Sequence, residues 1–145
     1  MPHNKILILF IVLLSVACRA DYPSAVAEQV VTQAQATSQA ETAYQKRLSD
    51  VWVEGEGEVT KILADDNKGS RHQRFLVKMG NGKTLLFAHN VDLAPRLDAL
   101  QIGDFVTFRG EYVYNPKGGV IHWTHRDPQG AHEAGWIKHK GNLYQ

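Results

Sequence analysis

The chain has 145 residues and a formal net charge of +1, from 16 basic and 15 acidic side chains. That length suits one domain. Basic and acidic side chains are nearly equal in number, so bulk charge gives no support for nonspecific nucleic-acid binding. The single cysteine excludes an intramolecular disulfide framework.

The N-terminal segment has the pattern of an export signal. A predominantly apolar run over residues 6–16, with Ser15 as its one polar residue, follows a lysine. It is shorter than the roughly 20 residues that a helix needs to cross a bilayer core. The run therefore fits the apolar region of a signal peptide over residues 1–17. Two kinds of cleavage remain open. One is ordinary cleavage after Ala17 or Ala20, and the other is lipoprotein processing, which leaves a lipidated Cys18 as the first residue.

Lipidation of Cys18 is the interpretation that we favour. The residue is the only cysteine of the chain and stands at the cleavage position, although Ser15 occupies the place where lipoproteins usually carry leucine. We therefore expect an exported protein, either periplasmic or anchored to a membrane through a lipid on Cys18. The sequence does not indicate an oligomeric state.

Residues 18–50 are rich in alanine, glutamine, serine and threonine and contain no glycine. Val26, Val30 and Ala34 recur near helical spacing, but the apolar stripe is thin. We predict a helical or flexible spacer that holds the following domain away from a membrane. A helix that binds a partner is the alternative.

The pattern changes to strands and turns over residues 51–145. The predicted strands cover residues 51–63, 71–79, 83–90, 105–114 and 120–125. Gly55 and Gly57 lie inside the first strand and indicate a bend, while Asn81-Gly82 predicts a tight hairpin. Residues 91–100 carry leucines at helical spacing and predict a short helix, and one more short strand is expected near Trp136.

The order of these elements predicts the fold class. Three strands, a short helix and two further strands match a mainly β, five-stranded OB-like Greek-key barrel with the short helix between strands 3 and 4. A long first strand bent by glycine can pair in both halves of such a barrel. An antiparallel sandwich is the alternative architecture.

The predicted hairpin brings polar residues together. With a two-residue loop, Arg74 would lie opposite His89, and His72 would share their face because residues two apart point the same way. The same register turns Thr84, Leu86 and Ala88 toward the core. We therefore expect His72, Arg74 and His89 to cluster on the outer face.

These residues, with Asp92 and His122, are the candidate catalytic set. Arg74 would hold an anion through paired hydrogen bonds, and the three histidines would donate hydrogen bonds or act as general acid and base. Asp92 would orient a histidine. The alternative is that these groups cap the sheet edge and bond to backbone, as buried polar groups must.

Three histidines fall close together within residues 120–132. Residues three apart in a strand point to opposite faces, so His122 and His125 could bind one metal only if a bulge or the strand end rotated one of them. With His132 they are weak candidates for metal ligands, and a divalent metal cofactor is left open.

Several motifs taken together resemble a known family. They are DDNKGSRHQRF, LLFAHNVDLAPR, GDFVTFRGEYVYN and KGGVIHWTHRDPQGAH, and the set closely resembles the domain of unknown function 3465, a family of short exported bacterial proteins. The resemblance implies a location in the bacterial envelope and one shared pattern for HQRF, HN-x-D and HWTH-x-DP. It supplies no function.

Three hypotheses for function follow. The first is a site for a small anionic ligand, such as one that carries phosphate, with or without hydrolysis; an enzyme of this kind would be a phosphodiesterase or a nuclease-like hydrolase. The second is a non-catalytic module that binds a short oligonucleotide or oligosaccharide. The third is a structural or interaction lipoprotein of the envelope.

Overall fold

The computed structural model describes residues 39–145. The predicted signal peptide, both cleavage positions, Cys18 and the first part of the predicted spacer lie outside these residues. Within them, helix α1 covers residues 39–45. The strands are β1 (Ser49–Ile62), β2 (His72–Lys78), β3 (Thr84–Asn90), β4 (Phe105–Val113), β5 (Val120–His122), β6 (Trp136–His139) and β7 (Asn142–Tyr144). No helix in this part of the chain is long and apolar enough to cross a membrane.

The strands close into a five-stranded barrel. The order is β1-β2-β3-β5-β4, and β1 pairs with β4 to complete the ring. The β3–β5 pairing is parallel, whereas the other pairings in the ring are antiparallel. This confirms the predicted OB-like fold class. The hairpin of β6 and β7 extends the sheet beyond β4.

Strand β1 serves both halves of the barrel, as its glycines predicted. Its first part pairs with β4 and its last part with β2. A Cβ atom on Gly57 would lie 2.5 Å from the carbonyl oxygen of Lys78, and one on Gly55 would lie 2.7 Å from the ring of Phe108. Both positions therefore need glycine because neighbouring groups approach the backbone closely.

The barrel core is built from alternate residues of the strands. Phe75 stacks on Phe87 with ring centroids 5.0 Å apart. Phe87 and Phe108 meet edge to face, with ring centroids 4.8 Å apart. Ala40 and Ala43 of α1 are buried against the same core. Within the predicted spacer, residues 39–45 thus form a helix packed on the barrel, and residues 49–50 already belong to β1.

The segment between β3 and β4 is not the short helix that we predicted. Residues 91–104 form turns, because side chains take up the backbone groups that a helix would pair. The amide of Gln73 donates to the carbonyl of Leu97 at 3.1 Å and accepts from the Leu97 N–H at 2.9 Å. The carbonyl of Pro95 accepts from the ring of His89 at 3.0 Å. The one helix among the described residues precedes the strands.

The β2–β3 register differs from the predicted one by one residue. The loop has three residues, closed by a hydrogen bond from the Met79 N–H to the Lys83 carbonyl at 2.8 Å, with Gly82 at a φ of 81°. Gln73 therefore faces His89, and Arg74 faces Ala88. Because side chains alternate along a strand, one residue of slip reverses every β3 side chain.

Candidate functional site

A groove crosses the outer face of β2, β3 and β5. Its larger part is a cavity of about 350 Å³ lined by Asp66, His72, Arg74, Ala88, Val113, Val120 and His122. Its smaller part, about 200 Å³, is lined by His72, Ala88, Asn90, Leu93, His122, Trp123 and His125. Because the two cavities share three lining residues, we treat them as one feature and call it the outer groove.

Strand pairing explains why this groove exists. Arg74 on β2 faces Ala88 on β3. The parallel register pairs Phe87 with Ile121, which places His122 beside Ala88. The methyl group of Ala88 fills little of the space between two long side chains. A row of long, short and long side chains across three strands therefore leaves a depression with an apolar floor.

Arg74 is a half-buried cation without an acidic partner. Its Nε donates to the carbonyl of Ala64 at 3.0 Å, and no carboxylate within residues 39–145 lies close enough to form an ion pair with it. Arg71, Arg96 and Arg109 each have at least one carboxylate partner. Arg74 therefore has guanidinium nitrogens available to an anion at the groove.

His122 faces a carboxylate on the next strand. It pairs directly with Glu111 on β4. Its Nε2 lies 3.4 Å from the Glu111 carboxylate, but this buried atom forms no hydrogen bond with any described residue. Burial lowers the pKa of His122, and the negative charge of Glu111 opposes that shift. The ring is therefore mainly neutral at pH 7.

The comparisons with known proteins can now be set beside this geometry. The family described as "Protein of unknown function (DUF3465)" matches residues 23–145. The chain belongs to this family. A search of curated proteins finds no match. The DUF3465 match therefore covers the whole barrel and every residue of the outer groove, and it leaves the chemistry to be argued from the site itself.

His89 of this DUF3465 barrel does not lie in the groove. The predicted register placed it on the outer face, but the actual register turns it into the core, where it is fully buried. Its Nδ1 lies 2.8 Å from the hydroxyl of Thr124, and its Nε2 lies 3.0 Å from the carbonyl of Pro95. Since a carbonyl can only accept, Nε2 carries the proton, and the hydroxyl donates to Nδ1.

Asp92 also differs from its predicted role of orienting a histidine. Its carboxylate accepts from the backbone N–H of Arg71 and from the Arg71 side chain, both at 2.7 Å. These hydrogen bonds lower its pKa. Asp92 therefore ties the end of the β1–β2 loop to the segment after β3, beside the groove rather than in it.

The three histidines proposed as metal ligands do not converge. Over the described part of the chain, no group of three or more histidine, cysteine or acidic residues is placed to hold a metal ion. His125 Nδ1 donates to the carbonyl of Arg126 at 2.8 Å. His132 bonds to Asp127 at 3.1 Å, and its ring stacks on Trp123 with centroids 4.2 Å apart.

Of the five predicted catalytic residues, the structure thus gathers His72, Arg74 and His122 at one groove. Sequence reasoning missed Glu111, which lies beside His122 on the neighbouring strand. It also missed Asn90 and Trp123, the first because of the register error. The β4–β5 pairing across residues 114–119 is the signal that could have found Glu111, since Glu111 and His122 are equally spaced from that turn.

Proposed function

We propose that this protein binds a small anionic ligand in the outer groove of its barrel. The observation that carries the proposal is Arg74, a half-buried guanidinium without an acidic partner among the described residues. It lines the larger cavity with His72, His122 and one carboxylate, Asp66, with which it forms no ion pair. Charge-assisted hydrogen bonds are strong where water is partly excluded. In OB folds generally, the face of strands 2 and 3 is the one that binds ligands.

We also propose that the protein acts outside the cytoplasm, as a periplasmic or lipid-anchored protein of a bacterial envelope. The apolar run over residues 6–16 and the lone Cys18 support export and lipidation. In this arrangement, residues before the barrel connect it to the membrane, and the groove samples ligands near the surface.

Binding is tested by calorimetric titration of the purified full chain with inorganic pyrophosphate, a compact anion. Arg74→Gln should weaken binding about 10-fold or more, because a charge-assisted pair contributes roughly 1.5–3 kcal/mol. Arg126→Gln is the matched control, since Arg126 is exposed and lines neither cavity. Wild-type protein that binds no pyrophosphate, or equal affinity in the Arg74 variant, would contradict the proposal.

Hydrolysis of a phosphodiester in the same groove is a second candidate function. The pair of histidines at both cavities favours it, because His122 is backed by Glu111 and His72 shares the groove. One imidazole would take a proton from the attacking water, and the other would give a proton to the leaving oxygen. Water and the diester would thus give a monoester and an alcohol, with Arg74 holding the phosphoryl oxygens.

The two functions separate in one assay. Release of nitrophenolate from bis(p-nitrophenyl) phosphate, measured with added Mg²⁺ and again with a chelator, reports turnover. An enzyme would show a bell-shaped dependence on pH and would lose activity on His72→Ala and on His122→Ala. Pyrophosphate binding without any turnover would leave the binding function and exclude the hydrolytic one.

A further inference from the structure

One end of the outer groove is aromatic. Four of the side chains that line the smaller cavity carry flat rings, namely His72, His122, Trp123 and His125. Trp123 is only partly buried. Two histidine rings lie against its indole: His132 with centroids 4.2 Å apart and His125 with centroids 5.2 Å apart. The rings of Trp123 and His125 thus form an aromatic wall on this cavity.

The backbone holds this indole in an uncommon conformation. Trp123 has a φ of 54°, which is rare for a bulky residue and persists only where the surroundings impose it. Gly135 packs against it so closely that a Cβ atom there would lie 1.8 Å from the carbonyl oxygen of Trp123. The N–H of Gly135 also donates to the carbonyl of His125 at 3.0 Å. The main chain at Trp123 is therefore tightly constrained, and the indole itself is held by its stacking on His132.

Asn90 supplies a polar edge to the same cavity. Its Oδ1 accepts from the N–H of Asp92 at 2.9 Å, which orients the amide and leaves its NH₂ group as a donor. Among the described residues that line this cavity, none is a carboxylate. Flat rings with an amide donor suit a planar heterocycle that carries hydrogen-bond acceptors on its edge.

The smaller, aromatic cavity and the larger cavity that contains Arg74 share three lining residues. Trp123 follows His122 directly, and Ala88 lies between His122 and Arg74 across the strands. Two strand spacings separate the ends by about 10 Å. A ligand that fills both ends therefore needs a flat ring at one side and an anionic group a short distance away.

We propose that the ligand is a nucleotide, with its base against the Trp123 wall in the smaller cavity and its phosphate beside Arg74 in the larger one. This inference rests on the anion-binding function proposed above and names the ligand class for the same site. Stacking of bases on aromatic side chains contributes to affinity for every base. The Trp123 wall should therefore favour nucleotides over phosphates that lack a base, and it should discriminate only weakly between one base and another.

Three probes test this by calorimetry on the full chain: adenosine 5′-monophosphate, ribose 5-phosphate and the neutral disaccharide chitobiose. The mononucleotide should bind about tenfold or more tightly than ribose 5-phosphate, because only it carries a base to stack. Trp123→Ala should abolish that difference, and Trp123→Phe should keep part of it. Trp136→Ala is the matched control, since Trp136 lies on β6 and lines neither cavity.

The outcomes distinguish the two proposals. If ribose 5-phosphate binds as tightly as the nucleotide, or Trp123→Ala keeps the preference, the nucleotide inference is overturned and anion binding stands. If chitobiose binds more tightly than the nucleotide, the aromatic wall belongs to a sugar site and the inference is again overturned. If neither phosphate compound binds, the anion-binding function fails as well.

Discussion

The buried histidine at position 89 makes the stability of the barrel depend on pH. His89 is fully buried and neutral, with Nε2–H donating to Pro95 and Nδ1 accepting from Thr124. Burial lowers its pKa from 6.5 to about 4, and the hydrogen bond to the Pro95 carbonyl only partly offsets this. The unfolded chain therefore takes up a proton at a pH where the folded chain does not.

The sign and size of the effect follow from these two pKa values. Between pH 6.5 and about 4 the unfolded chain binds more protons at His89, so the free energy of unfolding decreases as the pH falls through that window. Well above pH 6.5 both states are neutral, and the full contribution is present. A shift of about 2.5 units, at roughly 1.4 kcal/mol per unit, corresponds to a loss of about 3 kcal/mol below pH 4.

Urea denaturation at half-unit steps of pH measures this loss. We expect the free energy of unfolding to fall steadily below pH 6.5 in the wild type, and to fall about 3 kcal/mol less over the same window in His89→Gln. His132→Gln is the control, because His132 is half exposed and bonds only to Asp127. The pKa of His122 is also lowered, but His122 is present in the wild type and in both variants. The difference between the wild type and His89→Gln therefore reports His89 alone.

A direct NMR titration keeps the prediction testable if His89→Gln does not fold. The ring protons of His89 in the wild-type protein should keep their neutral chemical shifts down to about pH 5. Titration of His89 with a midpoint near its ordinary value would refute the reasoning, because it would mean that burial does not disfavour the charged ring. Equal pH dependence of stability in His89→Gln and the wild type would do the same.

Three further predictions address the core, a close backbone approach and the anchor. Phe87→Ala should lower the free energy of unfolding by about 3–5 kcal/mol, whereas Phe105→Ala, at an exposed position, should change it by less than about 1 kcal/mol; similar losses would contradict the assigned core. Gly135→Ala should destabilise severely, since a Cβ there would lie 1.8 Å from a backbone oxygen, and Gly80→Ala, with open space around it, should not. Cys18→Ser should release the exported protein from membranes on fractionation, and unchanged membrane association would rule out the lipid anchor.

Much of the fold was accessible from local patterns. Alternating apolar residues predicted the strands, and Gly55 and Gly57 predicted a bent first strand that pairs on both sides. The order of the strands predicted an OB-like barrel, which the ring of five strands confirms. These features depend on residues near one another in sequence, so local physical rules reach them.

In the segment after β3, the prediction from local sequence patterns was wrong. Leucines at helical spacing over residues 91–100 predicted a helix, yet the amide of Gln73 pairs with the backbone of Leu97 instead. The ring of His89 does the same for Pro95. Backbone groups form whichever hydrogen bonds the folded chain offers. A partner such as Gln73, more than twenty residues from Leu97, leaves no sign in helical periodicity.

For the candidate site, the sequence by itself determined which polar residues were candidates. The histidines and Arg74 stand out because they interrupt strands in which apolar residues alternate with other residues. Only the tertiary structure decided which of them meet. One extra residue in the β2–β3 loop turns His89 into the core and leaves Ala88 outward, as the floor between Arg74 and His122. Loop length and strand pairing are set by the packing of the whole barrel, because a slip of one residue exchanges the buried and exposed faces of a strand.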